Sequence, residues 1–185
     1  PAEAASWNRA ALDEAVAYVQ SQKTTGFLII QDRRTIVEHN WPLPDDAASQ
    51  TFRANFVHGE KPDGALREDV ASQQKSLVAL LVGIGVDKGL IDVETPVASY
   101  IGAGWSKAAP DEEAAITVRH LLEMTSGLKE DLTFDAPAGA RFFYNTPAYA
   151  KLKPVLEKAS GETLRILTQL WLTKVSNMHD TAWEQ

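Results

Sequence analysis

Cysteine is absent from the 185 residues, which excludes disulfides, thiolate metal sites and cysteine nucleophiles, and leaves either redox compartment open. An excess of basic charge is lacking too. The 18 Lys and Arg stand against 25 Asp and Glu, a formal charge of −7, so no nucleic-acid partner is expected. No apolar run approaches the roughly 18–20 residues that a membrane span requires. His39, His58, His120 and His179 show no ligand spacing and read as surface or hydrogen-bonded core residues. No metal and no cofactor is implied. There is no G-x-S-x-G, which argues against a Ser-His-Asp hydrolase built on a nucleophile elbow. Gly83-Ile84-Gly85 lacks both a preceding strand and a correctly spaced third glycine, so a nucleotide site is not expected. Internal repeats and low-complexity tracts are absent. The chain opens on Pro1 rather than methionine, and a processed or engineered N-terminus is the expectation, which leaves localisation open.

What is present centres on Val70-Ala71-Ser72-Gln73-Gln74-Lys75-Ser76-Leu77. An apolar run follows through Val82 and continues at Ile84 and Val86, without period-two alternation. It predicts a helix buried on most sides, stopping at Lys88-Gly89. Ser72 is then expected in its first turn, with Lys75 three residues on along the same face. A hydroxyl nucleophile needs a proton acceptor within reach, and an amine one turn away can serve. A lysine heading so apolar a helix is expected to be partly desolvated, which makes the amine a better base. The helix N-terminus offers N–H groups where an oxyanion would develop.

S-x-x-K alone is a common pattern, and a second copy, Ser126-Gly127-Leu128-Lys129, acts as an internal control. Ser126 sits where a helix should end, and Gly127 breaks the geometry that would align hydroxyl and amine. That copy reads as a helix terminator.

Taken in order, residues 7–22 predict an amphipathic helix. Phe27-Leu28-Ile29-Ile30 and Thr35-Ile36-Val37-Glu38-His39 predict a β-hairpin around Asp32-Arg33-Arg34. Residues 42–69 show little periodicity and read as a long loop, and residues 99–111 as another loop containing Trp105. Thr117 is a plausible N-cap for a helix reaching Met124 and closed by Ser126-Gly127. Thr146-Pro147 predicts a helix start leading to Gly161, and Thr163 opens a last helix with Leu164, Ile166, Leu167, Leu170 and Trp171 on its apolar face. An isolated hairpin is marginal. Nothing after Asp69 reads as a strand to complete it, so either helices cover it or partner strands lie on another chain.

These segments, in this order, resemble the serine β-lactamase and penicillin-binding-protein superfamily, nearest to class C β-lactamase-like esterases and nylon-oligomer (6-aminohexanoate) hydrolases. The likeness rests on Gly26-Phe27-Leu28-Ile29-Ile30-Gln31-Asp32, Ala71-Ser72-Gln73-Gln74-Lys75-Ser76, Gly89-Leu90-Ile91-Asp92 and Pro96-Val97. It continues in Ile116-Thr117-Val118-Arg119-His120-Leu121-Leu122-Glu123-Met124-Thr125-Ser126-Gly127-Leu128, Tyr144-Asn145-Thr146 and Asn177-Met178-His179-Asp180-Thr181-Ala182-Trp183.

The resemblance implies an α+β, β-lactamase/transpeptidase-like fold. Residues 1–69 would give the N-terminal helix, hairpin and long loop of a larger antiparallel sheet, and residues 70–185 a mostly helical domain, with the sheet incomplete in this chain. It makes Ser72 the acylated nucleophile, Lys75 its proton acceptor and Tyr144, matching the tyrosine of a Y-x-N element, the general acid/base. Read from its sequence neighbours alone, Tyr144 after Phe142-Phe143 is an aromatic core cluster. Asn145 and Thr146 would contact substrate, Thr146 replacing the family's asparagine and making typical β-lactam turnover less expected.

The family's Lys/His-Thr/Ser-Gly strand, which supplies the second oxyanion N–H, is expected beyond this sequence, so the chain alone should be a poor catalyst. A lost oxyanion donor costs roughly 100- to 1000-fold. The implied function is a serine hydrolase of carboxylic esters or amides, acting through an acyl-enzyme on a small-molecule substrate. A companion chain supplying the C-terminal strands is an implied partner. A periplasmic or secreted location follows from the resemblance only. The rival readings are β-lactamase or DD-peptidase activity, a catalytically silent penicillin-recognising or scaffold domain, and a plain helical interaction domain.

Overall fold

The computed structural model describes residues 7–179 and 181–183, so Pro1 and Asp180, both used in reading the sequence, lie outside the described residues. The chain divides into two compact units, Pro1–Ala71 and Ser72–Gln185.

In the first unit, helix α1 (Arg9–Ser21) is capped by the Asn8 side chain, which accepts from the Ala11 N–H. Strands β1 (Gly26–Gln31) and β2 (Arg34–Asn40) pair antiparallel as the predicted hairpin. Its loop is only two residues, Asp32 and Arg33, both at positive φ (50° and 64°), the mirror-image turn whose twist suits a hairpin. β1 alternates in exposure: Phe27 and Ile29 are half-buried, whereas Leu28 and Ile30 are 53% and 60% exposed.

The long loop expected over residues 42–69 is in fact mostly ordered. Helix α2 (Ala47–Phe56) starts at Asp46, whose carboxylate accepts from the Ser49 N–H and pairs with Lys23 at 2.7 Å. The Lys23 ammonium, followed by the Ser49 N–H, draws the Asp46 carboxyl down to about 2. A second hairpin, β3 (Val57–Glu60) with β4 (Leu66–Glu68), turns through Lys61-Pro62-Asp63-Gly64. Both sheets have two strands.

The second unit is helical. Helix α3 (Gln74–Asp87) is preceded by a single 3₁₀ turn, Ala71–Gln73, so Ser72 lies just ahead of the α-helix rather than in its first turn. α3 is also less enclosed than expected. Val78, Leu81, Val82 and Gly85 are buried, but Leu80 and Val86 are 48% and 42% exposed.

The expected loop at 99–111 takes in the end of α4 (Val97–Ile101) and the start of α5 (Pro110–Ala114). Glu113 of α5, only 4% exposed, accepts from the Gly104 N–H, the Ser106 N–H and the Ser106 hydroxyl at 2.6, 2.7 and 2.6 Å. Burial alone would raise its pKa. The hydrogen bonds from Ser106 and Gly104 outweigh that, and the carboxyl lies below its ordinary value.

α6 (Val118–Leu122) begins at Thr117 as predicted. His120 completes that cap, its Nδ1 accepting from the Thr117 N–H at 3.1 Å. The single helix expected from Thr146 to Gly161 is two, α7 (Thr146–Tyr149) and α8 (Leu152–Ser160). α9 (Leu164–Thr168) continues into one π-helical turn, Gln169–Thr173.

One core holds the unit together: Val78, Leu81 and Val82 of α3 pack with Leu152, Val155 and Leu156 of α8, Val97, Val118, Leu121 and Leu167. Truncating a fully buried leucine such as Leu81 should cost about 2–5 kcal/mol.

Candidate active site

The site is built from three short pieces of the second unit. The turn before α3 carries Ser72, the first turn of α3 carries Lys75, and the segment entering α7 carries Tyr144. Lys75 Nζ donates to Ser72 Oγ at 3.1 Å, and the Tyr144 hydroxyl donates to the same oxygen at 2.7 Å. Lys75 Nζ also stands 5.0 Å from the centre of the Tyr144 ring. A hydroxyl, an amine and a phenol, the last 72 residues along the chain from Ser72, thus meet at one oxygen. Tyr144 is 48% exposed rather than part of an aromatic core. Its hydrogen bond to Ser72, then its contact with Lys75, lowers the phenol's pKa, and Thr146 contributes in the same direction. Beside an ammonium and a hydroxyl the phenolate is favoured, so this tyrosine can take and return a proton.

The backbone around the nucleophile is unusual. Ala71, immediately before Ser72, has φ 45°, a left-handed conformation that alanine seldom adopts. Its N–H is held by the Asp69 carboxylate at 2.6 Å. Nothing in the local residue types marks this position in the sequence.

The two residues after Tyr144 part company. Thr146 is exposed beside the phenol. Asn145, expected against substrate, is 1% exposed, and its carboxamide is occupied internally. Its Nδ2 donates to the Leu128 and Lys129 carbonyls at 2.8 and 2.9 Å, and its Oδ1 accepts from the Ala148 N–H at 3.0 Å. It is the N-cap of α7 and has no donor left to offer a ligand. An Asn directly before a Thr-Pro helix start is the sequence signal for that role.

The loop delivering Tyr144 is anchored upstream. Phe143 N–H donates to the Met124 carbonyl, Gly139 N–H to the Thr125 carbonyl, and Arg141 pairs with Asp135. Gly127, at φ 72°, lies so close to the Ala136 carbonyl that a side chain there would collide with it. The control motif does not close the helix as expected: α6 already ends at Leu122, with Met124 at φ 55°, and Ser126, 4% exposed, instead accepts from the Leu128 N–H at 3.4 Å.

Among the described residues there is no cluster of His, Cys, Asp or Glu that could hold a metal ion, and no helix is long and apolar enough to cross a membrane.

The chain's fold is shared with the octameric penicillin-binding protein homologue from Pyrococcus abyssi (TM-score 0.67, 17% identity), over 94% of this chain and 44% of that one. FmtA from Staphylococcus aureus superposes with TM-score 0.67 at 15% identity, over 93% of this chain and 49% of that one. The beta-lactamase/D-alanine carboxypeptidase from Yersinia pestis, complexed with citrate, superposes with TM-score 0.56 at 20% identity, over 63% and 40%. The chain therefore spans about half the length, or less, of these structures. No curated protein sequence matches it. At these identities the structures establish the β-lactamase/transpeptidase-like fold, here as helices with small antiparallel sheets. The Beta-lactamase family profile matches residues 12–185, nearly the whole chain, and the protein belongs to that family.

Proposed function

We propose that the protein is a serine hydrolase of carboxylic esters or amides that works through an acyl-enzyme on Ser72. The observation that carries this reading is the convergence of Lys75 Nζ and the Tyr144 hydroxyl on Ser72 Oγ, at 3.1 and 2.7 Å. Family membership supports hydrolase chemistry in general, and the solved structures named for penicillin binding and D-alanine carboxypeptidase activity support acyl transfer as the reaction type.

Ser72 Oγ forms a bond to the substrate's carbonyl carbon while its proton passes to the Lys75–Tyr144 pair. The phenolate of Tyr144, favoured by its contacts with Ser72 and Lys75, is the acceptor that the geometry favours. The bond to the alcohol or amine then breaks, and the leaving group takes up that proton. Water, deprotonated by the same pair, attacks the ester on Ser72; the bond to Ser72 Oγ breaks, the acid is released, and the proton taken from water returns to Ser72 Oγ. The Ser72 N–H supplies one oxyanion donor. The second is proposed to come from the C-terminal segment or from a companion chain. Thr146, exposed beside the phenol, is proposed to face the acyl group.

Turnover of a p-nitrophenyl ester separates this from the silent-domain reading. A slow steady rate preceded by a burst equal to the protein concentration is expected, abolished in Ser72→Ala. A rate unchanged in Ser72→Ala would exclude the acyl-enzyme. Parallel assay of a chromogenic β-lactam distinguishes the ester reading from β-lactamase activity, and the ester should be the better substrate.

A further inference from the structure

Two tyrosines flank the start and end of α7 and differ in burial. Tyr144 enters the helix exposed and touches Ser72, whereas Tyr149 closes it at 6% exposure. The Tyr149 hydroxyl donates to the backbone carbonyl of Lys75 at 2.8 Å. A carbonyl oxygen has two lone pairs, so the phenol can use one without displacing the bond that α3 makes to the other. One turn on, Lys153 of α8 donates through Nζ to the Gln74 side chain at 3.0 Å. Both contacts fall on the first turn of α3, the turn that aims the Lys75 side chain.

At the other end of α7, Asn145 fixes the backbone beside Tyr144 to the Leu128 and Lys129 carbonyls. α7 is thus tied at both ends: its N-terminal end adjoins Tyr144, and its C-terminal end is bonded to the turn of α3 that carries Lys75.

We propose that Tyr149 is a positioning residue: by tying α7 to the Lys75 carbonyl, it fixes the distance between the Tyr144 phenol and the Ser72–Lys75 pair. This rests on the acyl-enzyme reading for its consequence, but its geometry does not. A misplacement of about 1 Å can cost 100-fold in a positioned reaction, so a brace this close to three reacting atoms has something to protect. The chemistry suits a brace. Burial pushes the Tyr149 phenol up while its partner Tyr144 moves down, so Tyr149 remains a donor through the range where Tyr144 exchanges its proton.

Tyr149→Phe keeps the ring and removes only the hydroxyl. Tyr100→Phe is the control, because it also removes a phenol hydrogen bond, the one that Asp92 N–H makes to Tyr100 at 2.9 Å, away from the site. Two readouts are taken on the full chain. In the first, fluorophosphonate labelling is followed over a range of probe concentrations. The maximal labelling rate of Tyr149→Phe should fall about tenfold, the change that one hydrogen bond of ordinary strength produces, with the probe's half-saturation unchanged. In the second, Tyr144 is titrated by NMR with ¹³Cζ-labelled tyrosine. Its pKa should rise toward the ordinary tyrosine value in Tyr149→Phe and stay in place in Tyr100→Phe.

An unchanged Tyr144 titration in Tyr149→Phe overturns the proposal, as does a shift of equal size in the control. A parent chain that takes no label, while the Tyr144 titration still moves in Tyr149→Phe, refutes the acyl-enzyme and upholds the brace.

Discussion

At the scale of single residues, environment gives like side chains unlike tasks. The phenol of Tyr144 is lowered by Ser72 and Lys75, and that of Tyr149 is raised by burial. Tyr144→Phe should lower the rate of Ser72 labelling by about 100- to 10,000-fold, the range of one acid/base group. Because the side chain is 48% exposed, stability should move by no more than about 0.5 kcal/mol, which thermal unfolding checks. Since the phenolate is the useful form, labelling should rise with pH on a limb that lies below an ordinary tyrosine's titration.

Glu113 makes the complementary prediction about stability. Its folded pKa lies below its unfolded one, so its contribution is fully present above the unfolded value of about 4.3 and lost as pH falls through the folded value. Glu113→Ala leaves the Gly104 and Ser106 N–H groups without their acceptor, and should cost about 2–4 kcal/mol near neutrality. The gap in melting temperature between variant and parent should close in acid.

Ser72 and Lys75 are legible as candidates from their spacing ahead of an apolar run, and Tyr144 only through the family pattern. Asn145 and Tyr149 need the structure, because burial rather than residue type decides whether a polar group meets ligand or backbone.

At the scale of elements, local signals work where one interaction dominates. The first hairpin is legible because apolar β-formers flank a polar turn, and Thr117 as an N-cap because its hydroxyl accepts from the His120 N–H. Residues 42–69 are not, since α2 buries only Ser49 and so leaves no apolar stripe to read. Its cap, Asp46, is the signal that could have revealed it. The start of α3 is misplaced by two residues because the 3₁₀ turn at Ser72 uses the same residue types as a helix.

Gly127 is an element-scale test, where a loop delivers a side chain made elsewhere. Gly127→Ala must shift either its own positive φ or the Ala136 carbonyl, at a cost of about 1–3 kcal/mol. Because Phe143 is bonded to Met124 just upstream, the loss should also appear as slower Ser72 labelling, at a temperature where the variant remains folded.

At the scale of the whole molecule, the two units differ in how much core each encloses. Among the described residues, the buried apolar ones of the first are Leu12 and Val37, whereas the second gathers a continuous cluster across α3, α4, α6, α8 and α9. Amide exchange on the full chain should therefore be slowest in α3 and α8 and far faster in β1 and β2. Equal protection of the hairpin and α3 would contradict this.

The sheet also explains what a sequence reading can and cannot reach: β1 and β2 form a correct hairpin, yet Leu28 and Ile30 face outward, and residue types alone do not say what would cover them. The proposed chemistry depends less on that sheet than on one oxygen atom, Ser72 Oγ. Peptide mapping by mass spectrometry after fluorophosphonate treatment of the full chain tests it most directly. One adduct per chain on Ser72, lost in Lys75→Ala and strongly slowed in Tyr144→Phe, is the predicted result. An adduct on any other serine, or labelling of Ser72 indifferent to both substitutions, would contradict it.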